Sequence, residues 1–500
     1  MIGFLCLYVF NAIVMTAIAT REVHRPFRAL TWILISALFP LIGVVLYIAF
    51  SRPLRIQRSK IQSVTQRMTM QRLMEQGTVV CSIGETLTNV ARAGIASGRV
   101  RVLTSGKEKY RALLASLENA RSTIDIEYYI FRFDSIGKSV VETLIKRANA
   151  GVHIRFLIDG FGSKAFPCRE LDRLSGEGIE CKVFFPLKFP WFRKTLNHRD
   201  HSKIVVVDGE KAFVGGINIG DEYASREPSI GHWRDTHLLV EGECVSHLEK
   251  LFTANWGIAS MHRSASSNRL SYLENGRQFA MKAKQVASYE FGSDEGVTAV
   301  RPACDDSLFQ SAGESFSTEA FVQMIESGPD RSLQKIRYLY FICLTEARES
   351  IDITTPYFVP ESDVTMAMKT AVMRGVTVRL LVPMKSDHML VGLASETYYT
   401  ELIEAGVQIY CYNGGVLHAK VVTVDDRISV IGAANCDLRS FRLNYEVCEV
   451  IYGIEVARQL TEQFERDLQC SAVLDVTDLA QRSRLNRLYG RCARLLAPLL

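Results

Sequence analysis

The chain lacks the usual frameworks for several chemistries. Its twelve cysteines include no C-x-x-C pair, so they read as scattered, buried free thiols, Cys304, Cys343, Cys436 and Cys448 among them, which fits a reducing compartment. No cluster of His, Cys and Asp has metal-ligand spacing, so neither a metal nor another cofactor is expected. A broad basic face is missing as well. The formal net charge is +5. Residues 1–60 hold Arg21, Arg25, Arg28, Arg52, Arg55, Arg58 and Lys60 against Glu22, a local net of +6, which leaves −1 (5 − 6) for the other 440 residues. A nearly neutral body argues against a nucleic-acid partner.

Charge is absent altogether from residues 1–20 and 29–50. Each run is long enough to cross ~30 Å of hydrocarbon as a helix. The first lacks the basic start of a signal peptide, and the second follows at once. The expectation is a two-helix transmembrane anchor over 1–50, with Pro40 and Gly43 tolerated inside a membrane helix. The basic residues beside these runs point to an anionic membrane surface. Their slight excess after the second run puts both termini, and the body, on the cytoplasmic side.

What the chain does have is a repeated octet. His201-Ser-Lys-Ile-Val-Val-Val-Asp208 and His418-Ala-Lys-Val-Val-Thr-Val-Asp425 agree at five of eight positions. The offset of 217 also relates Gly215 to Gly432 and Asn218 to Asn435. Ile204–Val207 and Val421–Val424 are β-branched and end in turn signals, so both read as buried strands. Residues two apart share a strand face, so His201 projects with Lys203 and His418 with Lys420. Asp208 and Asp425 have the opposite parity and are expected to support the site from the strand end.

Helix and strand patterns alternate from about residue 109: a helix over 110–120, a strand over 124–129, a helix over 139–150 and a strand over 152–158. The second half repeats this. Arg121-Ser-Thr-Ile-Asp-Ile126 matches Arg348-Glu-Ser-Ile-Asp-Ile353, and Ala150-Gly-Val-His-Ile-Arg155 matches Arg374-Gly-Val-Thr-Val-Arg379. The chain therefore holds two copies of one α/β unit. The expected boundaries are a juxtamembrane connector over 51–107, a first unit over 108–260, a linker with insertions over 261–334, a second unit over 335–470 and a basic amphipathic tail over 471–500. The tail reads either as an interfacial helix or as one packed on the body. The segment Phe184–Lys194, with two prolines, reads as a packed loop or as one that dips Phe189, Trp191 and Phe192 into a headgroup layer. Its place before His201 favours the latter.

Two histidines and two lysines from a duplicated unit suit phosphodiester chemistry. A neutral imidazole can attack phosphorus while a protonated one donates to the leaving alkoxide. The ammonium groups, with Asn218 and Asn435, can hold the nonbridging oxygens.

The doubled His-x-Lys-x4-Asp with Gly-x-x-Asn resembles the signature of the phospholipase D superfamily and, within it, the bacterial cardiolipin synthases. The likeness covers nearly the whole chain. It includes Arg28-x-Leu-Thr-Trp32, Asn197-His-Arg-Asp-His201, Gly215–Tyr223, Trp233-Arg-Asp-Thr-His237, Thr355-Pro-Tyr-Phe358, Asp437-Leu-Arg-Ser-Phe441, Leu443-Asn-Tyr-Glu446 and Pro498-Leu-Leu500. It implies two pseudo-symmetric phospholipase D-like α/β units packed face to face behind the anchor. It also implies a multi-pass protein of the bacterial cell membrane. The reaction would move a phosphatidyl group from one phosphatidylglycerol to another through a phosphohistidine, releasing glycerol. His201 would be the nucleophile and His418 the general acid and base, with the reverse left open by near-symmetry. Asp235 and Glu446 stand where the family's acids orient each copy's histidine. Gly215-Gly216 and Gly432-Ala433 depart from the Gly-Ser or Gly-Thr of many relatives. Either backbone N–H groups replace the lost hydroxyls or the reaction is slower. A membrane-bound hydrolase, or a synthase drawing on phosphatidylethanolamine, would use the same residues.

Overall fold

The computed structural model describes residues 2–21, 26–50, 75, 77–186, 197–227, 229–261, 317–331 and 333–496. The aromatic loop expected at Phe184–Lys194 lies largely outside them, as do Cys304 and Pro498–Leu500.

Each half places a β-strand ladder against helices. The first half contributes β1 (Ile95–Leu103), β2 (Thr123–Tyr128), β3 (His153–Asp159), β4 (Glu180–Phe184), β5 (Lys203–Val207), β6 (Lys211–Gly215), β7 (Trp233–Arg234) and β8 (His237–Glu241). The second contributes β9 (Thr318–Ser327), β10 (Ser350–Thr354), β11 (Phe358–Val359), β12 (Thr377–Pro383), β13 (Gln408–Tyr412), β14 (Val416–Leu417), β15 (Val421–Val424), β16 (Ile428–Gly432), β17 (Cys436–Asp437), β18 (Glu446–Tyr452) and β19 (Ser471–Leu474). Fifteen of these form one sheet in the order β19-β13-β12-β10-β15-β16-β18-β9-β1-β8-β6-β5-β2-β3-β4. The pseudo-twofold axis falls between β9 and β1, which pair antiparallel.

The expectation of two units meeting face to face therefore needs an addition. The halves are also joined edge to edge through a continuous ladder. Their inner faces do share an apolar cluster, with Ile204, Val206, Val214 and Leu238 from one half and Val421, Ile431, Val447 and Ile451 from the other. The expected boundaries shift for the same reason. β1 lies in the span read as a connector and β9 in the span read as a linker, yet both are central strands. β19, in the expected tail, is an edge strand on β13.

Sequence repeats become repeated geometry. Arg155 clamps Asp125 through Nε and Nη2, both at 2.6 Å. Arg379 clamps Asp352 in the same way at 2.6 and 2.7 Å. Helices Gly106–Glu118 and Ser135–Asn149 bury Leu113, Leu117, Val141 and Leu144 against the first half. Helices Lys335–Glu346 and Ser362–Met373 do so for the second. Cys343, Cys436 and Cys448 are buried free thiols, whereas Cys470 is disulfide-bonded.

The N-terminal run is helical over Ile2–Arg21, Pro26–Leu38 and Pro40–Phe50. Among the described residues no helix is long and apolar enough to cross a membrane. The second uncharged run is not one continuous helix. It breaks at Phe39–Pro40 and doubles back, so the rings of Trp32 and Tyr47 meet at 5.6 Å. A straight helix would put them ~22 Å apart. Gly43 permits the fold-back, since a Cβ there would lie 2.5 Å from the Ser36 Cα. Asn11 Nδ2 donates to the Ser36 carbonyl at 3.1 Å, tying the first helix to the second. Leu34, Leu38, Phe39, Leu41 and Ile42 remain exposed.

Candidate active site

Each histidine sits just ahead of its strand, on backbone held by the opposite half. Asp200 and Tyr445 form a parallel bridge. Within it the His201 N–H donates to the Tyr445 carbonyl at 2.9 Å and the Tyr445 N–H donates to the Arg199 carbonyl at 2.8 Å. On the other side β7 pairs parallel with β14, and the His418 N–H donates to the Arg234 carbonyl at 2.7 Å. The residue after each bridging residue is the acid. Glu446 therefore lands beside His201, and Asp235 beside His418.

The distances follow from this. His201 Nδ1 lies 3.0 Å from Glu446 Oε2, and His418 Nδ1 lies 2.7 Å from Asp235 Oδ2. This corrects one expectation. The acid downstream of each octet partners the histidine of the other octet, not its own. The Arg234 guanidinium braces one crossing. It is buried, bonds Asp467 through Nε and donates to the Asp235 carbonyl at 2.9 Å.

The lysines lie with their own histidines. Lys203 Nζ donates to the His201 carbonyl at 2.6 Å. Lys420 Nζ donates to the His418 carbonyl and lies 2.8 Å from His418 Nδ1. With that nitrogen committed to Asp235, the Lys420 contact is one of charge beside the ion pair. Burial pushes Lys203 down to about 7 and Lys420 to about 8, with the two acids opposing.

The two His–acid pairs differ electrostatically. Burial pulls His201 well below its ordinary value, and Lys203, Lys420, His418 and Arg439 add to the shift. His418 is lowered by burial and Lys420, but Asp235 works against both through charge and hydrogen bond. Burial alone would raise Asp235; Lys420, His418 and the Thr236 N–H outweigh it and hold the carboxyl below the usual range. Glu446 goes the other way. Burial raises it to about 7 despite Lys203, Asn444 and Ser440.

Asp208 and Asp425 do stand apart from these groups. Asp208 accepts from the N–H groups of Arg121, Ser122 and Thr123 and from the Ser122 hydroxyl. Asp425 accepts from the N–H groups of Arg348, Glu349 and Ser350. Both residues have positive φ, 55° and 50°, a conformation Asp tolerates. Each thus ends its own strand and pins the start of β2 or β10.

The asparagines are set into the frame. Asn218 Oδ1 accepts from the Ile130 N–H at 3.2 Å, and its carbonyl accepts from Lys109 Nζ and the Tyr110 hydroxyl. Asn435 Nδ2 donates to Asp437 at 3.3 Å, and its N–H donates to Ser440 Oγ.

The missing hydroxyls have a steric reason on one side. A Cβ at Gly216 would lie 2.1 Å from Asp235 Oδ1, so the carboxylate fills that space. The N–H groups at those two positions are already committed, Gly216 to the Thr236 carbonyl and Ala433 to the Val447 carbonyl, both at 2.9 Å.

Sequence reasoning missed several neighbours. Asn444 Nδ2 donates to Glu446 Oε1 at 3.1 Å, and the nearby Ser440 side chain also favours the charged carboxylate. The Tyr129 ring meets His201 edge-on at 4.8 Å, and Tyr357 lies 6.5 Å from His418. Arg439 bonds Asn197, four residues before His201. Ser440, Asn444 and Tyr357 belong to quoted motifs, but their roles needed the crossed geometry to become visible. Among the described residues no group of three or more His, Cys, Asp or Glu side chains is placed to hold a metal ion.

Two family models match the chain. One, described as cardiolipin synthase, PLD-like domain, covers residues 113–256 and 340–468. The other, a phospholipase D-nuclease N-terminal model, covers residues 8–52. A cardiolipin synthase of Geobacillus sp. is 35% identical over 99% of this chain and 92% of its own length. One of Halalkalibacterium halodurans is 34% identical over 96% and 90%. The fold is shared with a crystal structure of phosphatidylserine synthase from Haemophilus influenzae. The TM-score is 0.60 at 13% identity, over 83% of this chain and 99% of that one.

Proposed function

The chain belongs to the cardiolipin synthases with PLD-like domains, phosphatidyltransferases of the phospholipase D superfamily, and from that premise we propose how its geometry moves the phosphatidyl group. The observation that carries the reading is the inequality of the two crossed pairs. In both, Nδ1 is taken by an acid, which leaves Nε2 for substrate. His201 is the more strongly held neutral, so it is the nucleophile. His418 faces an ionised Asp235 that favours imidazolium, so it is the proton donor.

In the first step His201 Nε2 attacks the phosphorus of one phosphatidylglycerol. The bond from phosphorus to the glycerol oxygen breaks, and His418 protonates that oxygen as glycerol leaves. In the second, neutral His418 takes the proton from a hydroxyl of another phosphatidylglycerol. That oxygen attacks phosphorus, the phosphorus–nitrogen bond breaks, and cardiolipin leaves with His201 restored. Lys203 and Lys420 neutralise the nonbridging oxygens, assisted by Asn218 and Asn435. Asp208 and Asp425 hold the strands that carry the lysines. No cofactor enters the scheme.

The N-terminal helices anchor the body at the bacterial cell membrane, with the body on the cytoplasmic side and the substrate lipids concentrated beside it. The uncharged runs 1–20 and 29–50 and the exposed leucines support this reading. The acceptor is a lipid hydroxyl in preference to water, because a positioned group reaches effective molarities of about 10⁵ M or more, against ~55 M for bulk water. The test is mass spectrometry of the lipids made by purified protein given phosphatidylglycerol alone. Cardiolipin is expected. Mostly phosphatidic acid would replace the synthase with a hydrolase, and a need for added phosphatidylethanolamine would change the donor.

A further inference from the structure

The C-terminal helix Arg484–Leu496 is seated on the body the wrong way round for a packing element. It carries four arginines and four leucines and no acidic residue. At about 100° per residue its side chains divide into three arcs. One faces the body and is made of small residues. Ala493 is buried, and Gly490 lies so close to the helix Met389–Ile403 that a Cβ would come 2.9 Å from the Leu393 carbonyl oxygen. Arg494 edges this contact, over the Tyr398 ring at 3.9 Å and bonded to the Thr397 carbonyl at 3.2 Å.

The second arc, about 120° wide, turns outward. It holds Leu485, Leu488, Tyr489 and Leu495, each more than half exposed at 61, 53, 52 and 70%. Arg484, Arg487 and Arg491 fill the third arc and are exposed too. A helix that closes a core buries its leucines, whereas this one docks through glycine and alanine and presents them.

Its position connects it to the site. Gly490 meets Leu393, and Arg494 meets Thr397 and Glu401. The two helices therefore run in the same direction over this contact, and Arg482, just ahead of the C-terminal helix, bonds Glu396 of its neighbour at 3.1 Å. Met389 and Leu390, at the start of that neighbouring helix, are exposed. Asp387 and His388, just before them, contact Tyr357, and Tyr357 faces His418.

We propose that this face is a docking surface for an anionic phospholipid bilayer. The leucines and Tyr489 enter the boundary between headgroups and acyl chains, the three arginines meet lipid phosphates, and the seating turns the His418 side of the site toward the lipid. The inference rests on the phosphatidyl-transfer reading, which makes the substrate surface anionic. Charge argues against a second copy as the occupant, since self-pairing of a helix without acids sets arginine near arginine.

The test uses full-length protein in vesicles of phosphatidylglycerol diluted with phosphatidylcholine. Initial rates are measured against phosphatidylglycerol mole fraction for the wild type, for L485Q/L488Q/L495Q and for R484Q/R487Q/R491Q. Both variants are expected to raise the apparent bilayer KM roughly tenfold with kcat within about twofold. The KM for short-chain monomeric phosphatidylglycerol should not change. Unchanged bilayer KM in both variants overturns the proposal. So does an equal loss on bilayer and monomeric substrate, which would mark a structural defect. Loss of self-association with bilayer KM intact gives the face to a second copy. A wild type that makes only phosphatidic acid would sink the synthase reading alone, because the same KM comparison can be read on that product.

Discussion

The two halves share an octet, an acid and a clamped Arg–Asp pair, yet they surround their acids differently. Behind Asp235 stand His237, two residues on, and Lys109, which is wholly buried and electrostatically linked to Asp235. The place behind Glu446 that corresponds to His237 holds Cys448. Gly215 opposes His237 across one ladder as Gly432 opposes Cys448 across the other, which fixes the equivalence. One half therefore sets an imidazole and an ammonium behind an acid below the usual range, and the other sets a thiol where that imidazole would be, behind an acid raised to about 7. Duplication supplied two similar histidines, both pulled down by burial, and the acids facing them are shifted in opposite directions. In the proposed scheme a symmetric fold runs an asymmetric reaction through this difference between the acids.

The largest test of that difference removes each histidine. His201→Ala and His418→Ala should each lose about 10³-fold or more on phosphatidylglycerol. A donor with a p-nitrophenolate leaving group needs no proton, so His418→Ala should recover most of its first-step rate on it while His201→Ala stays inactive. Equal recovery in both would dissolve the division of labour.

The acids come next. Asp235→Asn should cost about 10²-fold and act through His418. Glu446→Gln should cost only about tenfold at pH 6, because a carboxyl raised to about 7 is already largely protonated there. Kinetics at pH 6 and 8 distinguish them. A larger loss for Glu446→Gln at the lower pH would reverse the comparison.

A smaller effect is expected from pH. As pH rises through 7 and then 8, Lys203 and then Lys420 lose their protons, so the anionic phosphate loses two counter-charges. Turnover should fall by about tenfold over that window, with the first half's lysine discharging first. A flat profile to pH 9 would contradict it.

Asp208→Asn and Asp425→Asn should move stability more than chemistry, by roughly 1.5–3 kcal/mol each. Thermal melts alongside rates below the melting range check this. Burial works against Asp208, but the backbone N–H bonds outweigh it and hold the carboxyl below its ordinary value. Its contribution is therefore present at neutral pH and lost as pH falls through the folded value. Inactive variants with wild-type melts would put these carboxylates in the chemistry. The smallest effect is on metal removal. With lysines in both halves supplying charge, dialysis against EDTA should leave the rate unchanged.

The duplicated octets, the strand parity that separates Asp208 from His201, and the alternation of helix and strand were legible because each is a local pattern. The crossed pairing was not, since it rests on parallel bridges between segments far apart in sequence, and no local signal encodes which acid a histidine meets. β1 and β9 escaped notice for a related reason. Each lies beside sequence without a clear repeat, and their importance comes from pairing with each other. The second uncharged run misled through composition. Apolar content measures length, but Pro40 and the bare Gly43 turn that length back on itself.

The crossed pairing also sets a clock. His201 leaves the ribosome with the first half, but its acid lies 245 residues downstream, and His418 waits on an acid made 183 residues before it. The N-terminal half alone has a histidine without its orienting carboxylate and a carboxylate without its histidine. An unfinished or truncated chain thus has neither histidine–acid pair complete. The same exchange ties the copies together in evolution, because a lesion to the acid of one half is felt at the histidine of the other.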